Sequence, residues 1–335
     1  MSAEATLAVD DLTVTLDRGD RDIQLIRHVG FEVRPGEIVT LVGESGSGKS
    51  VTSRAIMGLI QMNHNISVTG SIVYEGQQLV GRPQTSAKLR GTELAMVFQE
   101  PLSSLDPVFP IEDQMREGLR RAFGKSSKEA ERARMKELLD EVGIRDTDRV
   151  LRAFPHQLSG GMCQRVMIAS ALSSSPKLLI ADEPTTALDV TIQAQILDLI
   201  DRLRQENDMS VLLVTHDMGV AADLADRIVV MYAGRVVEDA SPDDVFTSPH
   251  HPYTEGLLAC IPSLHERKEI LPAIPGSVPD PSGLPGGCAF HPRCAFASDR
   301  CRGEDPPLFQ IDRGAAACWH PRNTAVEPAL EGARA

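Results

Sequence analysis

One uninterrupted stretch of the sequence has the residue types needed to hold a phosphate group. It reads Gly43, Glu44, Ser45, Gly46, Ser47, Gly48, Lys49, Ser50 and fits the pattern G-x-x-x-x-G-K-[ST]. Glycines let backbone N–H groups turn towards phosphate oxygens, where the positive end of a following helix also points. Lys49 would reach the phosphates, and the Ser50 hydroxyl would bind Mg²⁺. This phosphate-binding loop predicts a nucleoside triphosphate site.

The residues on either side predict the elements that such a loop needs. The apolar, β-branched run 37–42 predicts a buried strand, and residues 51–59 predict a helix whose first residue, Val51, completes the nucleotide-binding stretch. A glycine-rich turn that met the pattern by chance has no need of a strand before it and a helix after it. The context therefore favours a phosphate-binding loop.

Two adjacent carboxylates follow a second apolar run. Residues 177–184 predict a strand that carries Asp182 and Glu183 at its carboxyl end, where ligands gather in a parallel α/β sheet. Asp182 can hold Mg²⁺ through water, and Glu183 can accept a proton from the water that attacks the γ-phosphate. Taken alone, an acidic pair at a strand end is as often a solvated turn.

Three further polar positions could serve a nucleotide. Gln99 ends the apolar run 94–98 and could coordinate Mg²⁺ or the attacking water, and His216 ends the run 210–215. Each of them, taken alone, is more often structural. Ser159 can cap a helix whose first glycines leave N–H groups open to an anion. That stretch reads Leu158, Ser159, Gly160, Gly161, Met162.

Composition narrows the class of protein and its compartment. The chain has 335 residues, 42% of them hydrophobic, which suits one large domain with an appendage or two modest domains. A net charge of −13 disfavours a nucleic-acid partner. The N-terminus lacks the pattern of a signal peptide, and no apolar stretch is long enough to cross a bilayer. We therefore expect a cytosolic protein without nucleic-acid partners.

Four of the six cysteines fall in a Pro- and Gly-rich tail that has little apolar sequence for a core of its own. They are Cys288, Cys294, Cys301 and Cys318. Such a segment needs a cross-link or a bound metal group to be stable, and disulfides are not expected in the cytosol. The spacings match neither paired C-x-x-C zinc ribbons nor ferredoxins, so a four-thiolate zinc site and four unrelated thiols both stay open.

Taken together, these motifs resemble the ATP-binding subunit of ABC transporters. The match comprises the loop at 43–50, the Q-loop at Gln99, the signature at 158–162, the carboxylates Asp182 and Glu183, the D-loop Ala187, Leu188 and Asp189, and the switch histidine His216. The order and spacing of these motifs are specific, and they cover residues from about 7 to 250. In the tail, residues 251–254 and 287–294 look like subunits that power bacterial di- and oligopeptide or nickel importers.

The resemblance implies a fold and a division of the chain. The fold would be α/β: a P-loop ABC ATPase with a RecA-like core, an antiparallel β edge and an inserted helical subdomain at about 100–175. A nucleotide-binding domain would occupy residues 1–255. A small cysteine-containing extension would occupy residues 256–335. The helical segment between Gln99 and Ser159 would dock on the membrane subunits.

The resemblance also implies roles for the site residues. Glu183 would be the general base, assisted by Gln99 and His216. Mg²⁺ would be held by Ser50, Gln99 and Asp182, and Ser159 with Gly160 would cap the ATP of a second, opposed subunit. The four tail cysteines would hold a [4Fe-4S] cluster, with zinc as the alternative, and His291 and His320 would lie close by or replace a ligand.

The partners implied are two membrane-spanning permease subunits, a second ATP-binding subunit that is identical or different, and, indirectly, an extracytoplasmic solute-binding protein. The chain would sit peripherally on the cytoplasmic face of the bacterial inner membrane. Import of nickel or another small solute is the alternative to peptides. A soluble ABC ATPase acting on ribosomes or DNA would carry tandem domains, coiled coils or basic faces, and a scaffold ATPase for iron–sulfur assembly would lack the tail.

Two departures from the family pattern affect the expected site. Cys163 stands just behind the signature where this subfamily usually has arginine, so a polar contact there could be lost. The family usually supplies an aromatic ring near Leu16 to stack on adenine, and residues 1–30 contain none. We therefore expect weaker base stacking and a less secure preference for adenine over guanine.

Overall fold

The computed structural model describes residues 5–19, 21–186, 188–261 and 273–324. Within these ranges the strands are β1 (Leu7–Asp17), β2 (Asp22–Val33), β3 (Ile38–Val42), β4 (Ile66–Tyr74), β5 (Gln77–Gln78), β6 (Leu94–Val97), β7 (Leu178–Asp182), β8 (Ser210–Thr215), β9 (Arg227–Tyr232), β10 (Arg235–Ala240), β11 (Phe309–Ile311) and β12 (Gly314–Ala316). The helices are α1 (Lys49–Ile56), α2 (Pro83–Leu89), α3 (Pro101–Ser104), α4 (Ile111–Phe123), α5 (Lys128–Glu141), α6 (Thr147–Arg152), α7 (Gly160–Leu172), α8 (Val190–Glu206), α9 (Met218–Leu224), α10 (Pro242–Thr247), α11 (Pro252–Ala259) and α12 (Asp299–Gly303). None of the helices in these ranges has the length and apolar character needed to span a bilayer.

The chain forms two compact units that interleave along the sequence. The first is built mainly from Arg82–Val214 together with Val33–Glu37. The second combines Leu7–Glu32 and Ile38–Gly81 with the described residues from Thr215 onwards. The predicted boundary at residue 255, and with it the predicted 256–335 extension, stays a prediction; residues 262–272 and 325–335 of that extension lie outside the described ranges.

The first unit contains parallel strands and the predicted helical segment. Strand β7 pairs in parallel with β6 on one side and β8 on the other, and every residue of β7 is buried. Burial on both faces explains why these strands are continuous apolar runs in the sequence. In helix α5, Met135, Leu138 and Leu139 form a buried apolar stripe. Ser127 caps α5, with its hydroxyl accepting a hydrogen bond from the Ala130 N–H at 3.1 Å.

The second unit contains an antiparallel sheet in the order β2-β1-β4-β5, which is the predicted β edge. In a further sheet, β3 pairs in parallel with β9, and β9 pairs antiparallel with β10. The tail contributes to that sheet, since β12 pairs with β10 and β11 pairs with β12. The cysteine-bearing tail is thus hydrogen-bonded to the strands that follow β3 in the sheet.

Candidate functional site

The phosphate-binding loop joins β3 to α1 in the second unit, as its sequence predicts. Gly43 and Gly48 have φ angles of +149° and +106°, and Gly48 is the residue that precedes α1. A Cβ atom at Gly43 would overlap the carbonyl oxygen of Met231. Glycine is therefore required at this position by both the backbone angle and the packing.

Lys49 is held against the backbone of its own loop. Its side chain is buried, and its Nζ atom donates hydrogen bonds to the carbonyl oxygens of Gly43 and Glu44 at 2.7 and 3.1 Å. The loop is fixed from outside as well, because the N–H of Gly234 donates to the Ser47 carbonyl at 2.9 Å. The lysine charge is therefore kept inside the curve of the loop.

Glu44 has two partners that sequence patterns did not identify. Its backbone N–H donates to the Tyr253 hydroxyl at 2.8 Å, and its carboxylate accepts two hydrogen bonds from the Arg293 guanidinium. Both partners lie in sequence stretches that carried only the resemblance to the importer tail. In the sequence, the only indication of this contact was that Arg293 always carries a charge and lies close to the cysteines. That charge did not indicate Glu44 as its partner.

The carboxylates end β7 in the first unit, next to Gln99. Asp182 is 1% exposed, whereas Glu183 adopts a left-handed backbone with φ of +47°. The Gln99 side-chain amide donates to Glu183 Oε2 at 2.9 Å, and the Thr186 hydroxyl donates to the same oxygen at 2.8 Å. These two donors orient one oxygen of the Glu183 carboxylate. Thr186 is a contact that the sequence gave no reason to select.

The signature lies at the start of α7 in the first unit. Ser159 caps this helix, with its hydroxyl accepting from the Met162 N–H at 3.3 Å, and both Ser159 and Gly160 are exposed. Leu158, Gly161 and Met162 are half-buried. The helix start thus offers its first residues to a molecule outside this chain.

Cys163, the departure behind the signature, is fully buried. Its Sγ lies 3.5 Å from the carbonyl oxygen of Pro155, to which the thiol donates. Burial raises the pKa of this thiol, which keeps it protonated and neutral. The side chain therefore acts as a small apolar filler with one weak hydrogen bond.

The remaining motif residues stand at helix starts. Asp189 caps α8 by accepting from the Ile192 N–H at 3.0 Å; Ala187, of the same predicted D-loop, lies outside the described residues. His216 follows β8 and is exposed, and Asp217 after it caps α9. The first unit therefore brings together Gln99, Asp182 and Glu183 and also carries the signature and Asp189. The second unit carries residues 43–51 and His216.

The four tail cysteines meet at one pocket in the second unit. Its lining includes Cys288, Cys294, Cys301 and Cys318, with His251, His291, His320, Phe290, Phe296 and Trp319 around them. All six cysteines of the chain are free thiols. Within the described ranges, no group of three or more His, Cys, Asp or Glu side chains is arranged so as to hold a metal ion.

Polar groups around this pocket point at the sulfur atoms. The N–H of Phe296 donates to Cys294 Sγ at 3.4 Å, and the N–H of His320 donates to Cys318 Sγ at 3.3 Å. Burial raises the pKa of Cys288 to about 11 and that of Cys318 to about 12, and the neighbouring thiols add to both shifts. Deprotonation of these thiols at neutral pH therefore requires a compensating positive charge.

Two family descriptions match the chain. Residues 26–186 match "ABC transporter", and residues 237–301 match "Oligopeptide/dipeptide transporter, C-terminal region". The first match covers the phosphate-binding loop, Gln99, the signature and the carboxylates. The second covers the first three tail cysteines, together with Tyr253 and Arg293.

Individual proteins of known type are similar over almost the whole chain. The oligopeptide transport ATP-binding protein AppD of Bacillus subtilis is 50% identical over 92% of this chain and 94% of its own length. The dipeptide transport ATP-binding protein DppD of Escherichia coli is 44% identical over 97% and 100%. Among solved structures, the dimeric ATP-binding cassette MJ0796 bound to ADP and Pi matches with a TM-score of 0.62 and 29% identity, over 70% of this chain and 98% of that one.

Proposed function

This chain belongs to the ABC transporter family of ATP-binding subunits, and on that basis we propose that it is the ATP-hydrolysing subunit of an importer for di- or oligopeptides. The observation that carries the proposal is that the cassette motifs and the peptide-transporter C-terminal region occur in one chain. Similarity to AppD and DppD supports peptides over nickel or another small solute. The predicted fold class agrees with the match to solved cassettes.

Residues 43–51 would bind the triphosphate. The loop N–H groups and the start of α1 would face the β- and γ-phosphates, and Lys49 would exchange its present contacts with the Gly43 and Glu44 carbonyls for phosphate oxygens. Ser50, Gln99 and Asp182 would hold Mg²⁺, whose charge stabilises the transferring phosphoryl group when it is bound. Their hydroxyl, amide and carboxylate oxygens are the hard ligands that Mg²⁺ prefers, so the donor set fits.

Glu183 would accept the proton of the attacking water. The water oxygen bonds to the γ-phosphorus, the bond from that phosphorus to the bridging oxygen breaks, and ADP leaves. The hydrogen bonds from Gln99 and Thr186 hold the Glu183 carboxylate in a fixed orientation for this step. His216 and Asp189 would complete the site around the γ-phosphate and between subunits.

A second ATP-binding subunit, identical or different, would complete each site. Ser159 and Gly160 are exposed at the start of α7, which supports their contact with ATP held by an opposed subunit. Opening and closing of this pair would move the permease between two states as nucleotide shifts their populations. ATP would then be both the substrate and the ligand that holds the two subunits together.

The helical segment of the first unit would dock on two membrane-spanning permease subunits. Val108 and Phe109, just ahead of α4, are 70% and 52% exposed, and two adjacent exposed apolar side chains support a partner surface at this place. The chain would sit peripherally on the cytoplasmic face of the bacterial inner membrane. An extracytoplasmic solute-binding protein would deliver the peptide to the permease.

The four tail thiols would hold a [4Fe-4S] cluster. Four cysteines on one pocket supply the type of ligand that such clusters use, and N–H groups directed at two of the sulfurs support the proposal, although the four thiols do not stand at metal-holding positions within the described residues. The cluster would supply the positive iron charge that buried thiolates need. The residues Cys288, Cys294, Cys301 and Cys318 would ligate it, and zinc is the alternative. Assay of iron, acid-labile sulfide and zinc after anaerobic purification separates the two.

Co-purification tests the proposed function. Tagged chain is isolated from a detergent extract of its native membranes, and the bound proteins are identified. We expect permease subunits and a second ATP-binding subunit, with ATP hydrolysis by the isolated complex. Recovery with ribosomes or with a soluble scaffold, and no permease, would contradict the proposal.

A further inference from the structure

We propose that the cysteine-bearing tail sets the ATP affinity of the phosphate-binding loop through the ion pair between Arg293 and Glu44. Arg293 immediately precedes Cys294, and Glu44 is the second residue of the loop. The identity of the nucleotide rests on the proposed function. The connection itself rests on contacts within the second unit.

The Arg293–Glu44 pair is bidentate, with a buried arginine and a partly exposed glutamate. Arg293 Nη1 donates to Glu44 Oε2 at 2.7 Å, and Nη2 donates to Oε1 at 3.1 Å. The Arg293 side chain is 5% exposed, and its Nε also donates to the Pro275 carbonyl at 2.8 Å. Fork-like pairing of this kind fixes direction as well as charge. Arg293 therefore holds the Glu44 carboxylate in one place.

Aromatic rings pack around the Arg293–Glu44 pair. The Arg293 guanidinium lies 5.8 Å from the ring centre of Tyr232 and 5.9 Å from that of Phe290. The Tyr253 ring packs on both of these rings, and its hydroxyl accepts the Glu44 N–H. Backbone and side chain of Glu44 are thus held by residues far beyond the loop in sequence. The conformation of the loop therefore depends on how these three aromatic residues and Arg293 are positioned.

The cysteine segments fix the backbone that carries Arg293. The N–H of Arg293 donates to the Phe290 carbonyl, and the N–H of His291 donates to the Cys288 carbonyl, each at 2.9 Å. The N–H of Cys288 in turn donates to the Cys301 carbonyl at 2.9 Å. Whatever gathers the four thiols at their pocket therefore also positions the short turn from which Arg293 extends.

Release of Arg293 would act on ATP in two ways. Glu44 would keep a negative charge in the loop that receives a polyanion, and the repulsion would disfavour the phosphates. The loop would also lose one of the anchors that prepare its shape for binding. Arg293 acts through Glu44 and is therefore a positioning residue. ATP binding should suffer, while the hydrolysis rate at saturating ATP should be kept.

The test compares Mg-ATP affinity and steady-state kinetics of the full chain in its purified complex. We expect Arg293→Ala to raise the dissociation constant and the KM for ATP by about tenfold with little change in kcat. Arg293→Lys, which keeps the charge without the fork, should fall between it and the parent. Arg302→Ala is the matched control, since Arg302 also adjoins a tail cysteine but pairs with fully exposed Asp299.

A double-mutant cycle with Glu44→Gln makes the test specific to the pair. Adding Arg293→Ala to Glu44→Gln should weaken ATP binding much less than adding it to the parent. Cys294→Ser should weaken ATP binding as Arg293→Ala does, and the two changes together should do no more than either alone.

Several results would overturn the proposal. One is parental ATP affinity in Arg293→Ala with its thermal unfolding unchanged; another is an equal loss in both Glu44 backgrounds. If Arg293→Ala does not fold, parental affinity in Arg293→Lys combined with full affinity in Cys294→Ser has the same meaning. Failure of the parent chain to bind Mg-ATP would instead refute the proposed function.

Discussion

The phosphate-binding loop and the four-cysteine tail are built in opposite ways. The loop is contiguous, and its chemistry lies in backbone groups shaped by glycines at φ angles of +149° and +106°. The tail brings side chains together from positions as far apart as Cys288 and Cys318, with little regular structure around them. A contiguous backbone site can be recognised from the amino-acid sequence. A site built from dispersed side chains depends on a fold that the sequence indicates only in outline.

The two regions also differ in what stabilises them. The loop lies between β3 and α1 and is fixed by main-chain contacts from Gly234. The tail pocket is lined by a few aromatic rings and thiols, so we expect the stability of the tail to depend on the proposed metal group. Arg293 and Glu44 join them, which makes the loop more dependent on the tail than its own contacts suggest.

The largest expected effect concerns the proton transfer proposed for Glu183. Glu183→Gln should leave ATP affinity within about twofold and lower turnover by about 100-fold or more, because an amide cannot accept the proton of water. Closed ATP-bound pairs should accumulate in gel filtration. Glu206→Gln, an exposed glutamate at the end of the same unit's α8, is the control. Turnover above a tenth of the parent's would contradict the role of Glu183 as base.

The next effect concerns ATP binding by the loop itself, through the charge of Lys49. Lys49→Ala should weaken Mg-ATP binding by about 100-fold, since the buried ammonium is lost from the phosphates. Equilibrium titration measures the change, and Lys128→Ala, which removes an exposed lysine, serves as control. Similar ATP affinity in Lys49→Ala and parent would remove the basis for a phosphate site at this loop.

Loss of one tail thiol should be measurable directly in the tail, as lost metal and faster proteolysis. We expect Cys318→Ser to remove most of the bound iron and to speed proteolysis after residue 255 by about tenfold, because the remaining contacts close no core. Cys260→Ser is the matched control, since Cys260 lies outside the pocket and its thiol donates to the Gly256 carbonyl. Parental metal content and protease resistance in Cys318→Ser would show that this thiol is no ligand.

The smallest expected effect lies at the junction of the two regions. Tyr253→Phe keeps the buried ring and removes the acceptor of the Glu44 N–H, which should cost about 1 kcal/mol of unfolding free energy. ATP affinity should fall about threefold to fivefold. Denaturant unfolding and nucleotide titration measure the two changes. No change in either would mean that water replaces the hydroxyl without loss.

Sequence patterns predicted much of this molecule because its core elements are local. Strand β8 occurs where the run 210–215 predicted it, and α1 follows the loop as expected, since apolar runs and glycine turns act over a few residues. Ser159 caps a helix, as predicted, for the same reason. The fold class followed from these elements and their motifs.

The contacts that could not be predicted are the distant ones. Gln99 and Glu183 are 84 residues apart and share a hydrogen bond, and Glu44 and Arg293 are 249 apart. Neither pairing leaves a periodic or local signal in a single sequence. Thr186 and Tyr253 were missed for the same reason, because a hydroxyl shows its partner only once the chain is folded.

The most direct test of the account is ATP-driven uptake by the reconstituted complex. The chain, its permease and its partner subunit are placed in liposomes, and the solute-binding protein is added on the side from which the permease takes up its substrate. A radiolabelled dipeptide and radioactive Ni²⁺ are offered on that side. We expect dipeptide accumulation that requires ATP and is lost with Glu183→Gln, and no Ni²⁺ accumulation. Uptake that proceeds equally without ATP, or accumulation of Ni²⁺ alone, would contradict a peptide importer driven by this subunit.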